Sequence, residues 1–139
     1  MHGMPEYGLT EEQKMMRESV LGLLQRLLPE EKVLQLDEAG EFPYEAYDAL
    51  VEQGWMALPF DEKYGGLGGS YADLAVFIET IAYHWIGVST AYLTTTTLGG
   101  GHIKLYGSEE QKKEFIPRII SGEIKTAFSL TEPGAGSDA

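Results

Sequence analysis

Apolar residues recur along this chain at helical spacing in separate runs, each opened by a cap and closed by a breaker. Thr10-Glu-Glu-Gln13 has the form of a capping box, in which the Thr hydroxyl takes the N3 amide and Gln13 reaches back to the cap amide. Met16, Val20, Leu23, Leu24 and Leu27 follow at three- and four-residue steps and predict an amphipathic helix that Pro29 kinks or ends. Val33, Leu34 and Leu36 predict a further turn or two, broken over Asp37 to Gly40. Pro43 suits a first helical position, Tyr47, Leu50 and Val51 supply the apolar face, and Gly54 suits the left-handed residue past the end.

From Trp55 to Ser70 the pattern changes. Pro59 and the glycines at 65, 66, 68 and 69 forbid regular structure, yet Trp55, Met56, Leu58, Phe60 and Leu67 give the stretch apolar anchors. An ordered, packed loop is expected. Ser70 caps a helix carrying Leu74, Phe77, Ile78, Ile81 and Trp85, and Ser89 to about Tyr106 predicts a second, less polar one. Ser108-Glu-Glu-Gln111 repeats the capping box, Phe115, Ile116, Ile119 and Ile120 continue across Pro117, and Gly122 ends the helix. Ile124, Thr126, Phe128 and Leu130 then alternate with Lys125, Ala127 and Ser129, which predicts one strand before Thr131-Glu-Pro-Gly.

Composition narrows the function classes. With 43% hydrophobic and 23% charged residues, the 139-residue chain fits one globular domain. A formal charge of −12 argues against nucleic acid, whose binding needs clustered Lys and Arg. Cysteine is absent, which excludes thiol catalysis and thiolate metal sites. His2, His84 and His102 lie too far apart to suggest a metal site. No apolar run reaches the roughly 18 residues of a spanning helix. The acidic N-terminus, with Glu6, Glu11, Glu12 and Glu18, fits neither a transit peptide nor a secretory signal, so a cytoplasmic protein is expected. Between Tyr64 and Ile103 there is no Lys or Arg, which implies two helices covered by neighbours, a ligand or another subunit.

Gly134, Gly136 and Ala139 fit the loose G-x-G-x-x-A dinucleotide pattern, but the chain before them is helical and Pro133 adjoins the first glycine, against a Rossmann unit. A plain glycine turn is the simpler alternative. The longer string Thr131-Glu-Pro-Gly-Ala-Gly-Ser-Asp138 resembles the signature of the acyl-CoA dehydrogenases. Leu9-Thr-Glu-Glu-Gln13, Gly40-Glu-Phe-Pro43, the loop from Pro59 to Gly68, and Gly107-Ser-Glu-Glu-Gln-Lys112 resemble further segments of that family in the same order.

The resemblance implies an all-α fold with one β-strand at its C-terminal end. Residues 1–122 would be the family's N-terminal helical domain and 123–139 the start of its middle β domain, the chain being an N-terminal fragment inactive alone. It implies FAD, with Phe128, Leu130, Thr131, Gly136 and Ser137 as cofactor contacts, and an acyl-CoA substrate lined by Ser89, Thr90, Leu93 and Thr94 with Ser137. Each type suits its role: a Thr hydroxyl can hydrogen-bond a flavin edge, glycine permits close backbone approach, and small hydroxylated residues leave room for an acyl chain. Phe128 and Leu130 equally suit ordinary core, Thr131 a turn cap, and Ser89 to Thr94 plain helix packing. The family reaction oxidises the Cα–Cβ bond of the thioester, with a carboxylate base that the resemblance places beyond this sequence, so no catalytic residue is assigned. The implied partners are an electron-transfer flavoprotein as acceptor and further copies of the chain, as dimer or tetramer. An acyl-CoA oxidase, a flavin monooxygenase of the same fold, or a non-catalytic helical binding module remain alternatives.

Overall fold

The computed structural model describes residues 8–138; His2, Glu6 and Ala139 lie outside them. Seven α-helices follow in chain order: α1 (Glu11–Leu27), α2 (Glu30–Ala39), α3 (Tyr44–Glu52), α4 (Tyr71–His84), α5 (Ile86–Leu93), α6 (Gly100–Tyr106) and α7 (Glu109–Ile120). The capping boxes expected at Thr10 and Ser108 form, and the Ser70 cap closes as a third through Asp73, each with reciprocal side-chain and backbone bonds. Two of them are tied together, since the buried Gln13 amide donates to Asp73 Oδ1 at 2.8 Å. One turn along, Arg17 donates to Glu79 at 2.7 Å, so the α1 face that meets α4 carries polar pins as well as apolar contacts.

The main core lies among α1, α3, α4 and α5, around Val20, Leu24, Leu50, Phe77 and Tyr92, all fully buried. At roughly 1.5 to 3 kcal/mol for each large apolar side chain removed from water, this cluster dominates the stability of the fold. Phe77 sits between Trp55 and Tyr92, with ring centroids at 5.2 and 4.7 Å. The Tyr92 hydroxyl donates to the Trp55 carbonyl at 3.0 Å, and burial pushes its pKa upward. A smaller core joins the 54–70 loop to α7 through Phe60, Tyr64, Ile116 and Ile119.

That loop is ordered, as its apolar anchors imply. Leu67, Gly68 and Gly69 amides donate back to the carbonyls of Ala57, Phe60 and Leu58 at 2.8 to 2.9 Å. Gly66 is forced by the approach of the two limbs: a Cβ there would lie 1.9 Å from the Phe60 carbonyl oxygen.

Helices 5 and 6 are one continuous rod from Ile86 to Tyr106, joined through a π-helical stretch at Thr94–Gly99. The rod expected from Ser89 thus begins three residues earlier. Trp85 does not continue α4; its backbone is extended (φ −157°) and separates α4 from the rod. Helix α2 likewise runs through the expected break at Asp37 to Ala39, and only Gly40, with φ 66°, ends it in the left-handed region.

The expected strand at Ile124–Leu130 is not formed. Among the described residues the only β-type pairing is an isolated bridge between Glu132 and Ala135. A strand is defined by the ladder it shares, and the 124–130 segment lies across a helix, where no backbone edge is offered to it.

Candidate functional site

The segment leaving α7 crosses the long rod at the π-helical stretch. In that stretch the Gly100 amide donates to the Thr95 carbonyl five residues back. The wider turn leaves this carbonyl open to a second donor, and the Thr126 hydroxyl takes it at 2.6 Å. Gly99 makes the crossing possible, because a Cβ there would lie 2.3 Å from Thr126 Oγ1 and 2.5 Å from its Cβ. Below the crossing, Tyr47 donates to the Thr95 hydroxyl at 3.4 Å from a fully buried position, and burial raises the Tyr47 pKa. Lys125 lies 5.1 Å from the centre of the Tyr47 ring.

Grooves lie on both sides of the crossing. One, of about 410 Å³, is lined by Phe42, Tyr44, Ala91, Thr94, Lys125 and Ala127, together with Thr95 and Thr126. The other, of about 440 Å³, runs past His102, Ile103, Tyr106, Phe115 and Ile124. At its edge the Phe128 ring stacks on the His102 imidazole, centroids 4.1 Å apart and planes within 8°. His102 Nδ1 is in turn hydrogen-bonded to the Leu98 carbonyl.

The structure distributes the candidate substrate residues unevenly. Thr94 lines the first groove, its hydroxyl donating to the Thr90 carbonyl at 2.7 Å. Thr90 is exposed one turn earlier and donates to Ile86 O at 2.9 Å. Leu93 is half-buried beside them. Ser89 is turned away, buried against α4 with its hydroxyl donating to the Ile78 carbonyl at 3.3 Å. The candidate cofactor residues share one extended run: Phe128 and Leu130 are 44% and 55% exposed, and Thr131, Gly136 and Ser137 are exposed beyond them. A tight turn closes this run, the Glu132 amide donating to Ala135 O at 2.9 Å and the Gly136 amide to Asp138 Oδ1 at 3.3 Å.

Ala91, Thr95 and Thr126 were missed by motif reasoning. Their signal was spacing: Ala91 and Thr95 share one helical stripe, and Thr126 precedes Phe128 on the same face of the alternating run. His84 is a structural residue, its Nε2 paired with the Leu28 carbonyl at 2.8 Å. Among the described residues no group of three or more His, Asp or Glu could hold a metal ion, and no helix is long and apolar enough to cross a membrane.

The groove at Thr94 leads through Ala127 into the exposed run that carries Phe128, Leu130 and the glycines at 134 and 136. Residues 10–123 match the family model for the acyl-CoA dehydrogenase N-terminal domain. The chain belongs to the acyl-CoA dehydrogenase family. It is similar to the caffeyl-CoA reductase-Etf complex subunit CarC of Acetobacterium woodii, with 37% identity over 94% of this chain and 34% of that protein. It is also similar to the probable acyl-CoA dehydrogenase YngJ of Bacillus subtilis, with 35% identity over 96% of this chain and 35% of that protein. Among solved structures, butyryl-CoA dehydrogenase from Megasphaera elsdenii superposes with a TM-score of 0.82 at 30% identity, covering 96% of this chain and 36% of that one. An acyl-CoA dehydrogenase from Bacillus anthracis complexed with FAD gives 0.78 at 29% identity, covering 97% and 23%. The chain thus spans about a third of the length of the curated relatives it matches.

Proposed function

We propose that this chain serves as the N-terminal helical domain of an FAD-dependent acyl-CoA dehydrogenase, which oxidises the Cα–Cβ bond of an acyl-CoA thioester to the trans-2-enoyl-CoA. The observation that carries the reading is the continuity between the groove at Thr94 and Ala127 and the exposed run from Phe128 to Ser137. A ligand seated in the groove has its reacting end beside the residues that the family motif assigns to the flavin.

The chemistry of that run fits a flavin. Thr131 and Ser137 carry hydroxyls that make no hydrogen bond among the described residues, and a Cβ at Gly134 or Gly136 would meet nothing within 4 Å. Phe128 and Leu130 would flank the ring, Thr131 would hydrogen-bond its polar edge, and Gly136 with Ser137 would lie against the flavin or the CoA moiety. When bound, the cofactor supplies a hydride acceptor for the substrate β-carbon. Ala91 and Thr94 shape the acyl groove, with Thr90 and Leu93 extending it along the rod. The groove's lining contains no carboxylate, so the base that takes the α-proton comes from elsewhere in the assembled site. An electron-transfer flavoprotein as acceptor fits the complex named for the Acetobacterium relative. Assembly as a dimer or tetramer in the cytoplasm completes the reading, with Leu98, Leu105 and Tyr106 as apolar surface to be covered.

The test is the visible spectrum of the natural full-length protein before and after anaerobic addition of acyl-CoA esters of graded length. A yellow protein bleached by one ester supports the reading and gives the chain length. Turnover with oxygen alone points to an oxidase or monooxygenase, and a colourless protein favours a helical binding module.

A further inference from the structure

We infer that Thr126 is a positioning residue for the flavin-contacting run, acting as a hydrogen-bonded latch onto the π-helical stretch of the α5–α6 rod. This rests on the proposed flavin site and adds to it a residue that borders the proposed acyl groove and acts through the run it holds. The run from Lys125 to Thr131 has no ladder, and the Thr126 hydroxyl makes its only hydrogen bond to the rest of the described residues, at 2.6 Å. Two ring contacts accompany it, Lys125 over Tyr47 and Phe128 on His102.

The acceptor lies within the π turn. In an α-helix the Thr95 carbonyl would accept from the amide of residue 99; here it accepts from Gly100 and, as a second donor, from the Thr126 hydroxyl. The opening at Gly99 admits Thr126 to it, and Tyr47 holds Thr95 from beneath. Phe128 follows two residues later on the same face of the run, so the depth at which Thr126 seats sets where the Phe128 ring stands. A displacement of about 1 Å at reacting groups costs up to about a hundredfold in rate. Binding of the CoA moiety, made elsewhere, changes far less.

The experiment uses the natural full-length protein with Thr126→Val, which keeps shape and removes the donor, and Thr126→Ser, which restores it. In the flavin-free protein, exchange of the Ile124 amide, which donates to the Arg118 carbonyl at 3.2 Å where the run begins, is expected to quicken about three- to tenfold in the Val variant, the worth of one hydrogen bond, and to return to the wild-type rate in the Ser variant. In the flavin-loaded protein, reduction by the acyl-CoA that bleaches wild type is expected to slow at least about tenfold in the Val variant with KM within about twofold, and to recover in Ser. Unchanged exchange in the Val variant overturns the latch whether or not flavin binds. Faster exchange with an unchanged reduction rate overturns the positioning role. A wild type that no acyl-CoA reduces overturns the oxidoreductase reading and with it the positioning role, while the exchange result still decides the latch.

Discussion

Gly66→Ala tests whether the 54–70 loop is held by backbone closeness or only by its apolar anchors. The added Cβ would stand 1.9 Å from the Phe60 carbonyl oxygen and 2.1 Å from its carbon, both main-chain atoms that no rotamer change can move. Ordinary contact begins near 3.4 Å, so the two limbs must part by about 1.5 Å. That displacement takes the Gly68–Phe60 bond, now 2.8 Å, beyond hydrogen-bonding range, and strains the Leu67–Ala57 bond beside it. Two such bonds are worth about 1 kcal/mol each, and partial loosening of the fully buried Phe60 adds roughly 1 kcal/mol. The expected loss is about 3 kcal/mol, or about 10 °C in Tm for a chain of this size. Urea and thermal unfolding followed by far-ultraviolet circular dichroism measure it directly. A loss below about 1 kcal/mol would refute the reasoning, because it would show that the limbs can separate without cost.

Gly22→Ala on α1 is the contrasting case: its Cβ would meet nothing within 4 Å, and the same melts should show a gain of about 0.5 to 1 kcal/mol from helix propensity. Tyr92→Phe removes the donor to the Trp55 carbonyl while keeping the ring packing, and should cost about 1 to 2 kcal/mol by urea unfolding. Asp73 has a lowered pKa, held down first by the Ser70 hydroxyl, then by Gln13 and the Ser70 amide. A depressed carboxylate contributes stability that is fully present above its unfolded value of about 3.9 and is lost as pH falls through the folded one, so wild-type Tm should fall on acidification below about pH 4. Asp73→Asn should lower Tm at neutral pH and flatten this acid limb; an unchanged acid limb would remove Asp73 from the account.

The helix starts were legible because their determinants are local. Thr10, Ser70 and Ser108 each sit three residues before a side chain that can answer the cap, and all three boxes close. Gly54 and Gly122 end helices with left-handed backbones for the same reason. Helix α2 ran past its expected end because acids do not break a helix; only the glycine at 40 does. The π stretch was illegible, since four threonines in a row suit an α-helix, a strand or a loop about equally. The alternation at Ile124–Leu130 reports an extended backbone with two faces, whereas a strand needs a neighbour that alternation cannot name. Motif likeness singled out Thr94 and Phe128, both of which border the crossing. It passed over Thr126 because that role depends on a carbonyl thirty-one positions away in sequence.

The wide turn at Thr94–Gly99 also makes the number of residues in the rod matter as much as their identity. A π turn holds about one residue more than an α turn, so removing one threonine from Thr94–Thr97 and restoring regular winding would leave Gly100 to Tyr106 at nearly the same rotation about the rod. His102 would stay under Phe128, but the wide turn whose Thr95 carbonyl seats Thr126 would be gone. Among related chains, a one-residue gap at this one place would therefore remove the seat of the crossing segment while leaving the rest of the rod in register.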